Sequence, residues 1–154
     1  MELNIIRNTF GAVAIAALAL GLAPAAKADN KGCSASTLKG TFTYTTTGSV
    51  VAAPAPVGPY AEVGTQTFDG KGGISASGMS SANGNVIPVT NTGTYILNAD
   101  CTGTFTLQIA PGITAHYYFV LAASGDQFRA VCLDPIAVLS RIGLRQYPAG
   151  DWRE

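Results

Sequence analysis

Short links between β-prone segments constrain this chain more than any other feature. Eight runs rich in Thr, Val, Ile, Tyr and Phe, residue types that favour strands, follow one another between positions 38 and 147. Pairs such as Asp69-Gly70 and Asn83-Gly84 separate some of these runs and supply the positive φ angles of tight turns. A parallel crossover needs about a dozen residues or more, so links this short join antiparallel neighbours. The sequence therefore predicts an all-β meander.

A meander of eight strands has two unpaired edges unless its last strand meets its first. Unpaired edges invite association with other chains, and only 12% of the residues are charged and able to protect them. We therefore predict an eight-stranded antiparallel up-and-down barrel, whose interior is filled by side chains or holds one small ligand. A two-sheet β-sandwich is the alternative. The predicted strands are Leu38–Val50, Tyr60–Phe68, Ile74–Ser81, Val86–Leu97, Gly103–Ile109, Ile113–Ala122, Gln127–Leu133 and Ala137–Tyr147.

The N-terminal residues have the pattern of a cleaved export signal. Arg7 precedes an apolar run over residues 10–22, which is short for a membrane span, and an A-x-A cleavage pattern ends at Ala28. We expect residues 1–28 to be a signal peptide and residues 29–154 to form a single β-barrel domain in the periplasm or outside the cell. An uncleaved membrane anchor is the alternative. No further long apolar run follows, so no membrane insertion of the mature chain is expected.

The charge balance excludes several classes of partner. Nine basic and nine acidic residues give a formal net charge of zero, so the sequence has no basic face for nucleic acid and no polybasic patch for a membrane surface. The hydrophobic content of 47% also argues against disorder. A small hydrophobic ligand remains the expected partner, and the oligomeric state stays open.

Three cysteines in an exported chain leave one thiol over. We predict a disulfide between Cys33 and Cys101, because both lie in irregular segments at strand ends where a bridge does not distort a sheet. Cys132 shares its alternation with Phe128 and Ala130 and should point into the interior as an inert thiol. Closing the loop between Cys33 and Cys101 should stabilise the fold by about 4 kcal/mol, because it restricts the unfolded chain.

Motifs for metal, nucleotide or nucleophilic chemistry are missing from the sequence. It contains neither C-x-x-C nor H-E-x-x-H, G-x-S-x-G, G-x-G-x-x-G or G-K-[ST], so no metal and no cofactor is expected. The one histidine, His116, lies in an aromatic strand and is a weak catalytic candidate. Glu62 is the other weak catalytic candidate.

Alternation on the second strand suggests a polar lining for a ligand pocket. If Phe68 faces the core, then Gln66, Glu62 and Tyr60 face it too, and Tyr44 joins them from the first strand. A carboxylate inside a barrel needs partners, so Glu62 serves a ligand site or lies solvated at the rim near the proline-rich loop, residues 51–59. On the last two strands the alternation predicts that Phe128, Ile142 and Leu144 face inward, which places three arginines on the outer wall. These are Arg129, Arg141 and Arg145.

Several segments together resemble a family of small secreted bacterial hypothetical proteins. The resemblance spans residues 33–147 and rests on a Cys followed by LKGT, then GPYAEVGTQTFDGKGG, TGTY, NADCTGTFTL and a closing RQY. In fold, the chain is similar to the calycin, allene oxide cyclase and dirigent type of eight-stranded barrel. The resemblance implies a compartment and a fold but transfers no catalytic residue, because fold alone does not specify function.

Three functions fit these observations. The first is a secreted barrel that binds a small apolar or amphiphilic molecule, and the second is a structural role in the cell envelope; neither is an enzyme, and the sequence favours them. The alternative is a cyclase- or isomerase-like enzyme acting on a hydrophobic substrate inside the barrel. A hollow interior near the proline-rich loop would favour binding. An interior filled by aromatic residues, Phe42, Tyr44, Phe105, Tyr117 and Phe119, would remove the binding site.

Overall fold

Every β-prone run identified in the sequence forms a strand in the computed structural model, which describes residues 32–147. The observed bounds differ from the predicted ones by no more than two residues. One turn of 3-10 helix, Ala35–Leu38, precedes the first strand. The predicted signal peptide lies outside the described residues. The strands are β1 (Gly40–Val50), β2 (Gly58–Phe68), β3 (Gly73–Ala82), β4 (Asn85–Leu97), β5 (Thr102–Ala110), β6 (Ile113–Leu121), β7 (Gln127–Cys132) and β8 (Ala137–Arg145).

The strands close into a barrel in chain order. Each strand pairs antiparallel with the next, and β1 also pairs antiparallel with β8, from Phe42 opposite Arg145 to Val50 opposite Ala137. No strand edge is left unpaired within the described part of the chain, as the low charge content requires. The predicted up-and-down barrel is confirmed, and the sandwich alternative is wrong.

Five phenylalanines fill one end of the barrel. We call this end of the barrel the filled end. The phenylalanines come from β1, β2, β5, β6 and β7, and each is at most 1% exposed. Their rings meet mostly edge-to-face or tilted, for example Phe42 with Phe68 at 5.5 Å between centroids, an arrangement that adds to the free energy of apolar burial. The five residues are Phe42, Phe68, Phe105, Phe119 and Phe128.

The segment before β1 covers the filled end. Leu38 is fully buried there, and the Tyr95 hydroxyl donates to the Ala35 carbonyl oxygen at 2.9 Å. The predicted disulfide between Cys33 and Cys101 is confirmed and ties this segment to the turn between β4 and β5. The segment before β1 is therefore held across the filled end by the Cys33–Cys101 disulfide and by the buried Leu38 side chain.

The predicted outer-wall position is wrong for two of the three arginines. Arg141 is 2% exposed and points into the barrel, whereas Ile142 and Leu144 are 45% and 53% exposed. Arg145 faces the same side at the filled end, where its guanidinium lies 4.5 Å from the centroid of the Phe42 ring. Only Arg129 lies on the outer surface as predicted.

Gly143 explains why the alternation on β8 was misassigned. Of the inward positions on this strand, 143 is a glycine and 141 is an arginine, so the apolar residues of β8 lie mainly outside. A Cβ atom at Gly143 would collide with the ring of Phe128, which fills the space that a side chain would take. Packing at this position thus decides which face of β8 is buried.

A Gly143→Ala variant should lose about 1–3 kcal/mol of unfolding free energy, because the added methyl group displaces the Phe128 ring from a close-packed core. Urea unfolding followed by circular dichroism measures this loss. Ser140→Ala, at an exposed position on the same strand, is the control and should change stability by no more than about 0.5 kcal/mol. Equal stability of the two variants would contradict the packing argument.

The outer surface divides into a hydroxyl-rich part and an apolar part. Threonine and serine dominate the outward positions of β1, β2 and β3. On β6 to β8 the outward residues are largely apolar, and the strand register places Tyr118 beside Val131. We call this the outer apolar face. Its members are Tyr118, Val120, Val131, Ile142 and Leu144.

Candidate functional site

The end of the barrel under the proline-rich loop is hollow. It contains a cavity of about 110 Å³ that is lined chiefly by apolar side chains of β5, β6 and β8, and by Ala55 of the loop. A wider pocket of about 450 Å³ lies at the rim and shares Val50, Ala55, Tyr60, Asn91 and Ile109 with the cavity. The aromatic residues whose packing could have filled the interior are buried, but a cavity remains at this end. Apolar residues of the cavity wall include Leu107, Ala115, Ile136 and Leu139.

The polar side of the cavity is built around Glu62 on β2. Its side chain points inward, and the whole residue is 4% exposed. The Tyr44 hydroxyl donates to Oε1 of Glu62, and the Tyr60 hydroxyl donates to Oε2 at 2.7 Å. A buried carboxylate is stable only when such partners replace water, so the two tyrosines hold Glu62 in place.

Arg141 on β8 completes this polar cluster. Its Nη2 atom donates to Oε2 of Glu62 at 3.4 Å, its Nη1 atom to Oε1 of Gln66 at 2.8 Å, and its Nε atom to Oγ1 of Thr46 at 2.7 Å. The guanidinium carbon also lies 4.2 Å from the centroid of the Tyr44 ring. The positive charge of Arg141 is therefore balanced by the negative charge of Glu62 inside the barrel, and both groups are hydrogen-bonded.

The tyrosine hydroxyls of the site remain protonated over the ordinary pH range. Burial, followed by the hydrogen bond to Glu62, raises the pKa of both Tyr44 and Tyr60 well above the usual value. Burial also raises the pKa of Tyr117, to about 12. All three hydroxyls therefore keep their proton at neutral pH and can donate a hydrogen bond.

The four residues predicted to line a ligand pocket come together, in two layers. Tyr60 and Glu62 line the cavity, whereas Tyr44 and Gln66 lie beneath them and contact Arg141 or Glu62. Their role in ligand binding stays a prediction. The Gln66 Nε2 atom is buried and has no hydrogen-bond partner within residues 32–147.

Arg141 and Tyr117 line the cavity but were not among the predicted pocket residues. The sequence names Tyr117 only among the aromatic residues whose packing would fill the interior. It predicts an outer position for Arg141, because the alternation places Ile142 and Leu144 inside. The signal that could have found it is Glu62 itself, since an inward carboxylate in a barrel requires a cation from another strand.

His116 lies outside the cavity, on the outer side of β6. Its side chain is 51% exposed, and its Nδ1 atom is 2.8 Å from Oδ1 of Asp134. Although burial opposes it, hydrogen bonds from His116 hold the pKa of Asp134 below its usual value. The weak catalytic candidates Glu62 and His116 therefore do not meet in one site.

Cys132, the cysteine outside the disulfide, lies in the wall of the cavity. Cys132 points inward as predicted, is partly exposed, and its Sγ atom is 3.5 Å from Oδ2 of Asp134. Burial raises the pKa of this thiol above its usual value, which lowers its reactivity at neutral pH. Within residues 32–147, no group of three His, Cys, Asp or Glu side chains is arranged to hold a metal ion.

Comparisons with known proteins support the fold. No protein-family model matches the chain, and no curated protein matches it in sequence. A solved structure of a redesigned β-barrel is similar, with a TM-score of 0.52 and 17% sequence identity over 74% of this chain and 96% of that one. At this identity the similarity shows an eight-stranded barrel and nothing about activity. Over the described part of the chain, no helix is long and apolar enough to cross a membrane.

Proposed function

We propose that this protein is an exported barrel that binds one small, mainly apolar molecule in the cavity under the proline-rich loop. The observation that carries this proposal is the division of the interior. Phenylalanines pack one half, while the other half keeps an apolar cavity with a polar cluster at its base. A concave apolar site with a few fixed polar groups is the usual form of a small-molecule site.

The dimensions of the cavity limit the ligand. Its volume of about 110 Å³ approaches that of an apolar protein cavity of about 150 Å³ that binds benzene. The rim pocket of about 450 Å³ falls within the usual range for ligand sites. A ring-sized group therefore fits in the cavity, and a larger remainder of the ligand fits at the rim.

Export is the second part of the proposal. It is supported by the signal-like N terminus, by the resemblance to small secreted bacterial proteins, and by the disulfide, since disulfides persist mainly in oxidising compartments. Mass spectrometry of the protein purified from its own producer tests it. A mature chain beginning near Asp29 is the expected result, and a retained N terminus would contradict cleavage.

Filling the cavity should abolish binding. Ala115 is 8% exposed and lines the cavity, so the indole group of an Ala115→Trp variant occupies most of the space. We expect the wild-type protein to bind the uncharged fluorescent probe N-phenyl-1-naphthylamine, and this variant to lose at least tenfold in affinity. Fluorescence titration measures the affinity, and circular dichroism checks that the barrel is folded.

A matched control introduces the same side chain outside the barrel. Thr104 is exposed on β5, so Thr104→Trp should bind the probe like the wild-type protein. Bound probe should also slow the alkylation of Cys132, because this thiol lines the cavity. A probe that binds both tryptophan variants equally and leaves Cys132 unprotected occupies another surface, and this result would refute the proposed site.

A cyclase- or isomerase-like enzyme is the second candidate, favoured by the carboxylate that borders the cavity. Glu62 already accepts hydrogen bonds from Tyr44, Tyr60 and Arg141, which leaves little capacity to take a proton from a substrate. The test is chromatography of a co-purified hydrophobic molecule after incubation with fresh protein. A rearranged product of the same mass that is absent with Glu62→Gln would support the enzyme.

A structural role in the cell envelope is the third candidate, favoured by the outer apolar face. Large exposed apolar patches are uncommon on proteins that act alone, and the members of this face lie on both sides of Arg129, which is registered between Val120 and Ile142. Sedimentation of the purified protein tests this role. A defined oligomer that dissociates when Ile142 is replaced by Glu would support it, and a monomer that binds the probe would favour the binding function.

A further inference from the structure

One hydroxyl group in the cavity has no partner in the described part of the protein. Tyr117 lies on β6, is 3% exposed and lines the cavity, yet no hydrogen bond within residues 32–147 involves its hydroxyl. By contrast, the buried Tyr44 and the partly buried Tyr60 donate to Glu62, and the buried Tyr95 donates to the Ala35 carbonyl oxygen. A hydroxyl that borders a cavity and has no protein partner can donate to an acceptor from outside the chain.

Neighbouring groups fix the direction of the Tyr117 side chain. Its ring stacks on Phe105 with centroids 4.8 Å apart and an interplanar angle of 17°. The guanidinium carbon of Arg141 lies 5.1 Å from the centroid of the Tyr117 ring. Phe105 and Arg141 thus hold the Tyr117 ring in place at the wall of the cavity.

The hydroxyl faces the cavity. The charged or ionisable groups that act on it electrostatically include Arg141, Cys132, Glu62 and Asp134, and all four line the cavity. These groups come from β2, β7, β8 and the link after β7, and each lines the same cavity as Tyr117. A ligand atom in the cavity would therefore lie beside the Tyr117 hydroxyl.

The charges of the site restrict the ligand. Arg141 is engaged with Glu62, Gln66 and Thr46, and its charge is balanced by Glu62. A carboxylate ligand would bring a second negative charge beside Glu62, and a cationic ligand would compete with Arg141. Either would be costly in a desolvated cavity, whereas an uncharged ligand leaves the pair intact.

We infer that the ligand is uncharged and places one acceptor oxygen, such as that of a ketone, aldehyde or ester carbonyl, on the Tyr117 hydroxyl. This inference rests on the proposed binding function and names its ligand class. Around that oxygen the ligand is apolar, because the remaining wall of the cavity is formed mainly by apolar side chains such as Leu107, Ala115 and Leu139.

The test compares three ring-sized ligands that differ at one position: ethylbenzene, acetophenone and benzoate. Each is titrated as a competitor of N-phenyl-1-naphthylamine, against the wild-type protein and a Tyr117→Phe variant. We expect the variant to bind acetophenone about tenfold more weakly and ethylbenzene within twofold of the wild-type affinity, since only the ketone loses a hydrogen bond. Benzoate should be the weakest competitor for the wild-type protein.

Tyr118→Phe is the matched control, because Tyr118 is the next residue, is 40% exposed and points outward. It should leave all three affinities unchanged. Suppose that the probe binds but that Tyr117→Phe changes the affinity for acetophenone by less than twofold, or lowers the affinity for ethylbenzene equally. The inference about the ligand class is then wrong, while the cavity remains a binding site. If neither the probe nor any competitor binds the wild-type protein, the proposed function is wrong as well.

Discussion

An Arg141→Met variant should unfold with about 3–5 kcal/mol less free energy than the wild-type protein at neutral pH. The reason is the position of Glu62, which is 4% exposed and loses its only ion-pair partner within residues 32–147. Removing one member of a buried pair leaves the other charge desolvated and unbalanced. Methionine keeps much of the apolar volume, so the loss reports mainly on charge. Chemical denaturation followed by circular dichroism measures it.

A second variant separates the charge from the packing. In Arg141→Met with Glu62→Gln no charge remains in the cluster, and we expect most of the lost stability to return. Arg129→Met, on the outer surface, should change stability by less than about 1 kcal/mol. An Arg141→Met variant as mild as Arg129→Met would refute a buried ion pair.

Replacing both Cys33 and Cys101 by serine should lower the unfolding free energy by about 4 kcal/mol. The bridge closes a loop with a sequence separation of 68, and a loop of this length restricts the unfolded chain strongly. The loss should concentrate at the filled end, where the segment before β1 covers Phe42 and its neighbours. Thermal and urea unfolding under oxidising conditions measure the total, and hydrogen exchange locates the weakened region.

Cys132→Ser provides the control for this experiment. Cys132 forms no disulfide and is partly exposed, so its replacement should cost less than about 1 kcal/mol. Reducing agent should lower the stability of the wild-type protein and leave the double serine variant unchanged. A reductant effect of equal size on both proteins would show that the bridge is not the source of the stability.

The fold could be predicted from the sequence because its determinants are local. Turn pairs such as Asp69-Gly70 and Asn83-Gly84 mark where the chain reverses, and the short links leave antiparallel pairing as the only choice. Barrel closure followed from the low charge content, which cannot protect two open edges. The disulfide followed from the positions of Cys33 and Cys101 at strand ends.

The candidate site could be predicted only in part, because it depends on contacts between distant strands. Glu62 was placed inside by its alternation with Phe68, and Tyr44, Tyr60 and Gln66 followed. The position of Arg141 could not be predicted because the apolar residues Ile142 and Leu144 lie outside, and the packing of Phe128 against Gly143, 15 residues away in the chain, decides which face of β8 is buried. Whether the interior is hollow depends on the summed volume of side chains from all eight strands, which no single strand reveals.

The pairing of the first strand with the last also sets an order of assembly. Until β8 docks, Glu62 has neither its counter-ion nor a continuous wall to shield it, so a partly formed barrel gains little by sealing its interior. Pairing of β1 with β8 brings Arg141 to Glu62, so closure of the barrel and pairing of the buried charges depend on the same strand. We therefore expect β1 and β8 amides to become protected together during refolding.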